Sequence, residues 1–334
     1  MKHQNLVVTG LMLGLLSLQA QATQLLEPPV METPKSITVF IAKKIVTMDP
    51  SLPVATAVAV SDGKILSVGS LEDLKPWTTK YPTTIDRQFA DRVVYPGFVE
   101  AHGHPLLGGL TQTSLPLTSQ PLPNPWGADF PGVPNLEAAI TQLKKYAAQM
   151  KDPSELLLAF GYDIAAMGKV PDRQLLDEAS KTQPIIVWDN SEHNMFLNSA
   201  AIAKYKITGA SVKGIIGVGV DQSGNPNGQF LGVDASEYIS GVAGKDMFAP
   251  ARIGRAMLYS NDLAQQHGIT STSDMAFGTI NIALETAAMK EITSSKASSL
   301  RIVPVAMADN FIAKYGDQGL EQVKALQNMN TDRL

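Results

Sequence analysis

The sequence holds five histidines and no cysteine. Thiolate nucleophiles, disulfides, iron–sulfur clusters and cysteine zinc sites are therefore excluded together. A metal site in this chain must be built from imidazoles, carboxylates or a modified lysine. Two histidines, His102 and His104, stand two residues apart in His102-Gly103-His104-Pro105. In an extended strand such residues project to one face, so both rings can meet one divalent ion at about 2.0–2.1 Å. Neutral imidazole with oxygen ligands suits zinc and similar ions, and an ion so held activates water against a carbonyl. Chance places only roughly 0.07 such pairs in a chain of this composition.

The context sharpens the signal. The apolar run Val93–Val99 leads into the pair and Pro105 follows it, so the histidines are expected at the carboxyl end of a strand. His193 comes after a second apolar run, Ile185–Trp188, through Asp189-Asn190-Ser191-Glu192. It is expected either as a substrate contact or as a plain loop residue. Asp274 lies just past a third run, Ile269–Thr272, as a pocket residue or a cap for the next helix.

The elements that position these residues read as follows. Lys2 and His3 precede an apolar run from Leu6 to Leu18, and Ala20-Gln21-Ala22 follows. This pattern predicts an export signal over residues 1–22 and a periplasmic location for the mature chain. The apolar run is shorter than the ~20 residues a membrane-spanning helix needs, and no membrane association is expected after signal cleavage. Residues 23–36, with three prolines, are expected as a linker. Residues 37–93 read as a small β-unit in which Asp62-Gly63 supplies the positive φ angles of a tight hairpin. From residue 94 to 334, strands alternate with helices. Asn135 is placed to cap a helix with apolar residues at Leu136, Ile140 and Leu143, and Pro250 opens another that Gly268 ends. Residues 209–244 are glycine-rich, and Asp221–Gly228 reads as turn-like. Alternating elements predict parallel βα units in an α/β fold, with a (β/α) barrel favoured because no glycine fingerprint follows the first strand. His267, directly before Gly268, is then expected at the barrel face opposite the catalytic rim, as a helix-dipole partner. A formal charge of −4 offers no basic field for nucleic acid.

Pro96-Gly97-Phe98-Val99-Glu100-Ala101-His102-x-His104 resembles the signature of the amidohydrolase superfamily. Ile45-Val46-Thr47-Met48-Asp49 and the Ala57–Gly69 hairpin are similar to its amino-terminal β-unit. Gly161-Tyr162-Asp163, Pro171-Asp172, His193 with Asn198-Ser199-Ala200-Ala201-Ile202, and Gly268-Ile269-Thr270-Ser271-x-x-Asp274 resemble its YtcJ-like branch, which includes N-substituted formamide deformylases. The resemblance implies a TIM-type barrel with a small β-sandwich and a divalent metal, zinc above others. It makes His102 and His104 the first ligands, with His193, Asp274 and Asp163 as substrate contacts. The implied reaction is hydrolysis of an amide or related non-peptide C–N bond in a small molecule.

Members carry further ligands, a lysine within Lys-x-x-x-Asp-Gly and later His and Asp residues. None of those motifs occurs up to Leu334. The expectation is a barrel lacking its C-terminal strands, a fragment that holds metal weakly and hydrolyses little alone. Two other classes stay open: a catalytically silent exported small-molecule binder, and a two-lobed solute-binding protein in which His-x-His is incidental. Self-association into a homo-oligomer is left open too.

Overall fold

The computed structural model describes residues 33–334. The export signal and most of the linker expected over residues 1–36 lie outside them. Two compact units result, one ending at Pro96 and one spanning Gly97–Leu334.

In the first, Ile37–Val46 (β1), Val54–Ser61 (β2), Lys64–Gly69 (β3) and Thr83–Val94 (β4) form one sheet in the order β3-β2-β1-β4. β1 pairs antiparallel with β2 and parallel with β4. The β2–β3 hairpin closes through Asp62 at φ 50° and Gly63 at φ 76°, the two left-handed positions such a turn demands. Period-2 alternation sends Ile37, Val39, Ala57 and Ala59 into a small core with Leu74.

The second unit contains two sheets. Its elements begin with Phe98–Glu100 (β5), Pro105–Gln112 (α1), Leu115–Pro116 (β6) and Leu136–Gln149 (α2). Next come Leu157–Tyr162 (β7), Ile185–Asp189 (β8), Asn194–Leu197 (β9), Val218–Val220 (β10) and Pro226–Leu231 (β11). Val233–Met247 (α3), Pro250–Gln266 (α4), Ile269–Phe277 (β12), Ile282–Ser294 (α5) and Arg301–Ala306 (β13) follow. One sheet has the order β10-β11-β9-β8-β7-β6 and the other β13-β12-β5. The strands that read in sequence as successive βα units thus divide between two sheets. β6, β7 and β8 are parallel, but β8 reverses into β9 and the rest of that sheet is antiparallel. In the small sheet β12 pairs parallel with both neighbours. Among the described residues these strands do not close into a barrel.

β8 shows why the larger sheet is rigid. All five of its residues are buried. Ile185 and Val187 pack on the side of α2, while Ile186 and Trp188 pack on the side of α3. A strand covered on both faces reads as a continuous apolar run. The glycine-rich stretch contains the β10–β11 hairpin, whose turn from Asp221 to Asn225 falls within the segment read as turn-like, and most of α3. Its glycines do not prevent the helix because Ala235, Ile239, Ala243 and Met247 fall on one buried stripe. Asn135 caps α2 by accepting from Ala138 N at 3.0 Å, as its position predicted. No helix of the described residues is long and apolar enough to cross a membrane.

Candidate metal and substrate site

The strand before the histidines is shorter than the sequence suggests. β5 ends at Glu100, and the chain turns there rather than running extended through His104. His102 N donates to Glu100 Oε1 at 3.1 Å, which draws the turn tight. His104 begins α1 as its N-cap residue, with Pro105 in the first turn. Both histidines are exposed. Their rings nevertheless converge, with centroids 5.6 Å apart and planes at 83°. Two imidazoles on one tetrahedral zinc, each nitrogen about 2.0–2.1 Å away, have centroids roughly 5 Å apart. The ring separation is close to that spacing, and it is produced by a turn, not by strand alternation.

β12 holds the turn in place. Met275 N donates to Gly103 O at 3.0 Å, and Ser273 Oγ donates to Ala101 O at 2.7 Å. A Cβ on Gly103 would fall 2.5 Å from Thr272 Oγ1. Glycine is required there by the approach of the neighbouring strand, so that both flanking histidines can be seated against β12.

A cavity of about 490 Å³ opens beside the pair, lined in part by Glu100, His102, His104, Tyr259, His267 and Thr272. His267 also lines this cavity, but from the N-terminal end of β12: β5 and β12 are parallel and Phe98 N donates to Gly268 O, so His267 stands at the strand end opposite the histidine turn, as its position predicted. It is the C-cap residue of α4, and its Nδ1 lies 2.9 Å from Leu263 O. On the far wall Tyr259 Oη donates to Gln112 Oε1 at 2.8 Å, and burial pushes the phenol's pKa up. Among the described residues, no group of three or more histidines, cysteines or carboxylates is close enough to hold a metal ion. The donor type fits zinc, while the donor count stops at two, short of the three protein ligands usual in a catalytic site.

The remaining candidates occupy three environments. His193 is exposed in the β8–β9 turn, beside Glu192, whose carboxyl is pushed up by burial and drawn back down by nearby His104 and His193. Neither Glu192 nor His193 is among the residues lining the cavity. Asp163 caps the short helix Ile164–Met167, its Oδ1 accepting from Ala165 N at 2.9 Å and Ala166 N at 3.2 Å. Asp274 is 2% exposed, with Oδ1 accepting from Ala276 N at 3.1 Å, and burial raises its pKa to about 6. Close to it is Glu285, also buried, which accepts from the backbone of Gly278, Ile280 and Asn281 at 2.7–2.8 Å. Neither Asp163 nor Asp274 is among the residues lining the cavity.

Residues 90–333 match the family model described as amidohydrolase family. The chain belongs to the amidohydrolase family. It is 28% identical over 201 residues to the exoenzymes regulatory protein AepA of Pectobacterium carotovorum subsp. carotovorum, covering 57% of this chain and 40% of that protein. It is 25% identical over 189 residues to the N-substituted formamide deformylase of Arthrobacter pascens, covering 55% of this chain and 32% of the relative. The chain thus spans about a third to two fifths of the length of these relatives. Among solved structures, an uncharacterized metal-dependent hydrolase from Pyrococcus horikoshii superposes with a TM-score of 0.59. Its identity is 16%, with 86% of this chain and 50% of that one covered, so the fold is what the two share.

Proposed function

We propose that this chain carries the first metal-binding segment of a hydrolase that cleaves an amide- or formamide-type, non-peptide C–N bond in a small molecule. The observation that carries the reading is the convergence of His102 and His104, 5.6 Å apart beside a cavity, within a chain of the amidohydrolase family. The two imidazoles are the first ligands of a divalent cation, and zinc suits their chemistry best. Such an ion, when bound, lowers the pKa of water and polarises a carbonyl. Around it, Glu100 fixes the turn through its hydrogen bond from His102 N, and β12 clamps Gly103. Tyr259 and Gln112 offer a polar wall for an amide group. His193, Asp274 and Asp163 do not line this cavity and are retained as substrate contacts through their motifs alone.

The same proposal assigns β5, β12 and β13 to a (β/α) barrel and the four-stranded unit to a small β-sandwich. It places residues 1–22 as a cleaved export signal and the mature chain in the periplasm. The deformylase relative supports the C–N bond class. Binding without turnover is a second reading, favoured by the donor count of two among the described residues.

The test is zinc stoichiometry together with formate release from an N-substituted formamide, for the wild-type chain and for His102→Ala with His104→Ala. Zinc lost in the double variant, with formate release dependent on the same residues, supports the hydrolase. Zinc loss without any turnover in either protein supports the binding reading. Zinc retained undiminished in the double variant overturns the site.

A further inference from the structure

Residues 119–132 leave the larger sheet just after β6 and return before α2 as a compact loop closed at its neck, where Val133 N donates to Thr118 O at 2.7 Å. Within it, Leu122 and Phe130 exchange both backbone hydrogen bonds, at 3.0 and 2.9 Å. Asn124 Oδ1 accepts from Trp126 N at 3.1 Å, and Asn124 Nδ2 donates to Ala128 O at 3.1 Å. Ends in contact and an interior of its own mark an Ω-loop.

α4 devotes a stripe of side chains to this loop. Arg255, Tyr259, Asp262 and Gln266 are spaced four, three and four residues apart, so they share one face of the helix. The core residues Ile253, Met257 and Ala264 occupy the other face. Every member of the stripe touches the loop. The Arg255 guanidinium lies 4.6 Å from the Trp126 ring centroid, a cation–π contact. Tyr259 meets the same indole edge-to-face at 5.5 Å. Asp262 Oδ2 accepts from Trp126 Nε1 at 2.8 Å, and Gln266 Nε2 donates to Pro125 O at 2.9 Å. Trp126 is 43% exposed, so it gives little to the core and much to the attachment of the loop.

The inner side of the loop reaches the cavity beside the histidines. The Tyr259 hydroxyl meets both Gln112 Oε1, at 2.8 Å, and Pro123 O. Tyr259, Gln112 and Pro123 all line that cavity, and Leu263, Ile269 and Leu300 add apolar surface to it. Trp126 does not line it. The loop thus supplies a wall through Pro123 while its anchor stands outside.

We infer that Trp126 is a positioning residue for ligand binding: it latches the 119–132 loop on α4, and the latched loop holds Pro123 as the wall on which an apolar ring of the substrate rests. This inference rests on the reading of the cavity as the substrate's place, and it involves no metal ion.

The experiment is calorimetric titration of the full chain with benzamide in the presence of EDTA, with hydrogen exchange followed on the same samples. Trp126→Ala is expected to speed exchange within residues 119–132 and not elsewhere, and to weaken benzamide binding about tenfold. Trp126→Phe keeps a ring against Tyr259 and Arg255, and is expected to restore affinity to within about threefold of wild type. Pro123→Ala trims the wall and leaves the latch. It is expected to weaken benzamide about threefold at unchanged loop exchange, and it carries the test should Trp126→Ala fail to fold. Faster loop exchange in Trp126→Ala with benzamide affinity unchanged overturns the inference. So does unchanged affinity in Pro123→Ala, or a wild-type chain that takes up no benzamide. Because no metal is present, these results are independent of the zinc stoichiometry that tests the hydrolase reading. A chain that binds no zinc and shows the Trp126 effect keeps this inference and loses that one.

Discussion

The two sheets of the Gly97–Leu334 unit are built from similar residues and end in opposite conditions. β8 is buried along its whole length, whereas Val303 of β13 is 60% exposed and Val99 of β5 is 70% exposed. The larger sheet has helices on both faces. The smaller one is covered chiefly on the side where Ile302 and Leu300 meet α4 and α5. The histidine turn hangs on the open sheet, and the turn carrying Glu192 and His193 projects from the closed one. The candidate site thus hangs on the sheet that is less covered, while the closed sheet forms the scaffold of the unit.

Substitutions can break this contrast. The largest effect is expected at Phe196, fully buried between strands of the closed sheet and edge-on to Tyr162. Phe196→Ala should cost about 3–5 kcal/mol by the lost burial and the cavity left behind, read from denaturant unfolding.

Asp274 comes next, a buried carboxyl within the open sheet. Its folded pKa of about 6 stands above the ordinary value of 3.8, through burial. A raised folded pKa favours the protonated native state, so this contribution is fully present below pH 4 and is lost as pH rises through 6. Asp274→Asn should therefore be more stable than wild type at pH 7–8 by up to about 3 kcal/mol, converging with it near pH 4. Parallel unfolding curves across that range would contradict the burial of this carboxyl.

A smaller effect belongs to the strand contact. Gly103→Ala puts a methyl group 2.5 Å from Thr272 Oγ1, and overpacking of this kind costs about 1–3 kcal/mol. It should also loosen the histidine pair and weaken Co²⁺ binding. Adding Thr272→Ala should recover most of both losses in a double-mutant cycle. The smallest effect sharpens the comparison from the other side. Val303→Ala on the exposed face should change stability by less than about 0.5 kcal/mol, where the buried Ile302→Ala should cost about 2–5 kcal/mol.

How much of this was legible in sequence follows from where the information is local. Asn135 as a cap, Asp62-Gly63 as a turn and Pro250 as a helix start each depend on a few adjacent residues, and each stands where it was read. The histidine pair was legible through residue type and spacing. The reason its rings converge was not, because the turn depends on a glutamate hydrogen bond and on β12, some 170 residues further along. The split into two sheets was hidden because an apolar run names a buried strand without naming its partner. α3 was missed because glycines at Gly241 and Gly244 drew attention from the four-residue spacing of Ala235, Ile239, Ala243 and Met247. His267 joined the cavity through the packing of α4 on α1, which no local pattern encodes.

The measurement closest to the central claim is X-ray absorption at the metal edge of the zinc-loaded 334-residue chain, compared with its His102→Ala, His104→Ala variant. Two imidazole scatterers in the wild type, lost in the variant together with most of the bound zinc, are the predicted result. A spectrum without imidazole scattering, or one that the double substitution leaves unchanged, would contradict the assignment of these two histidines as the metal's first ligands.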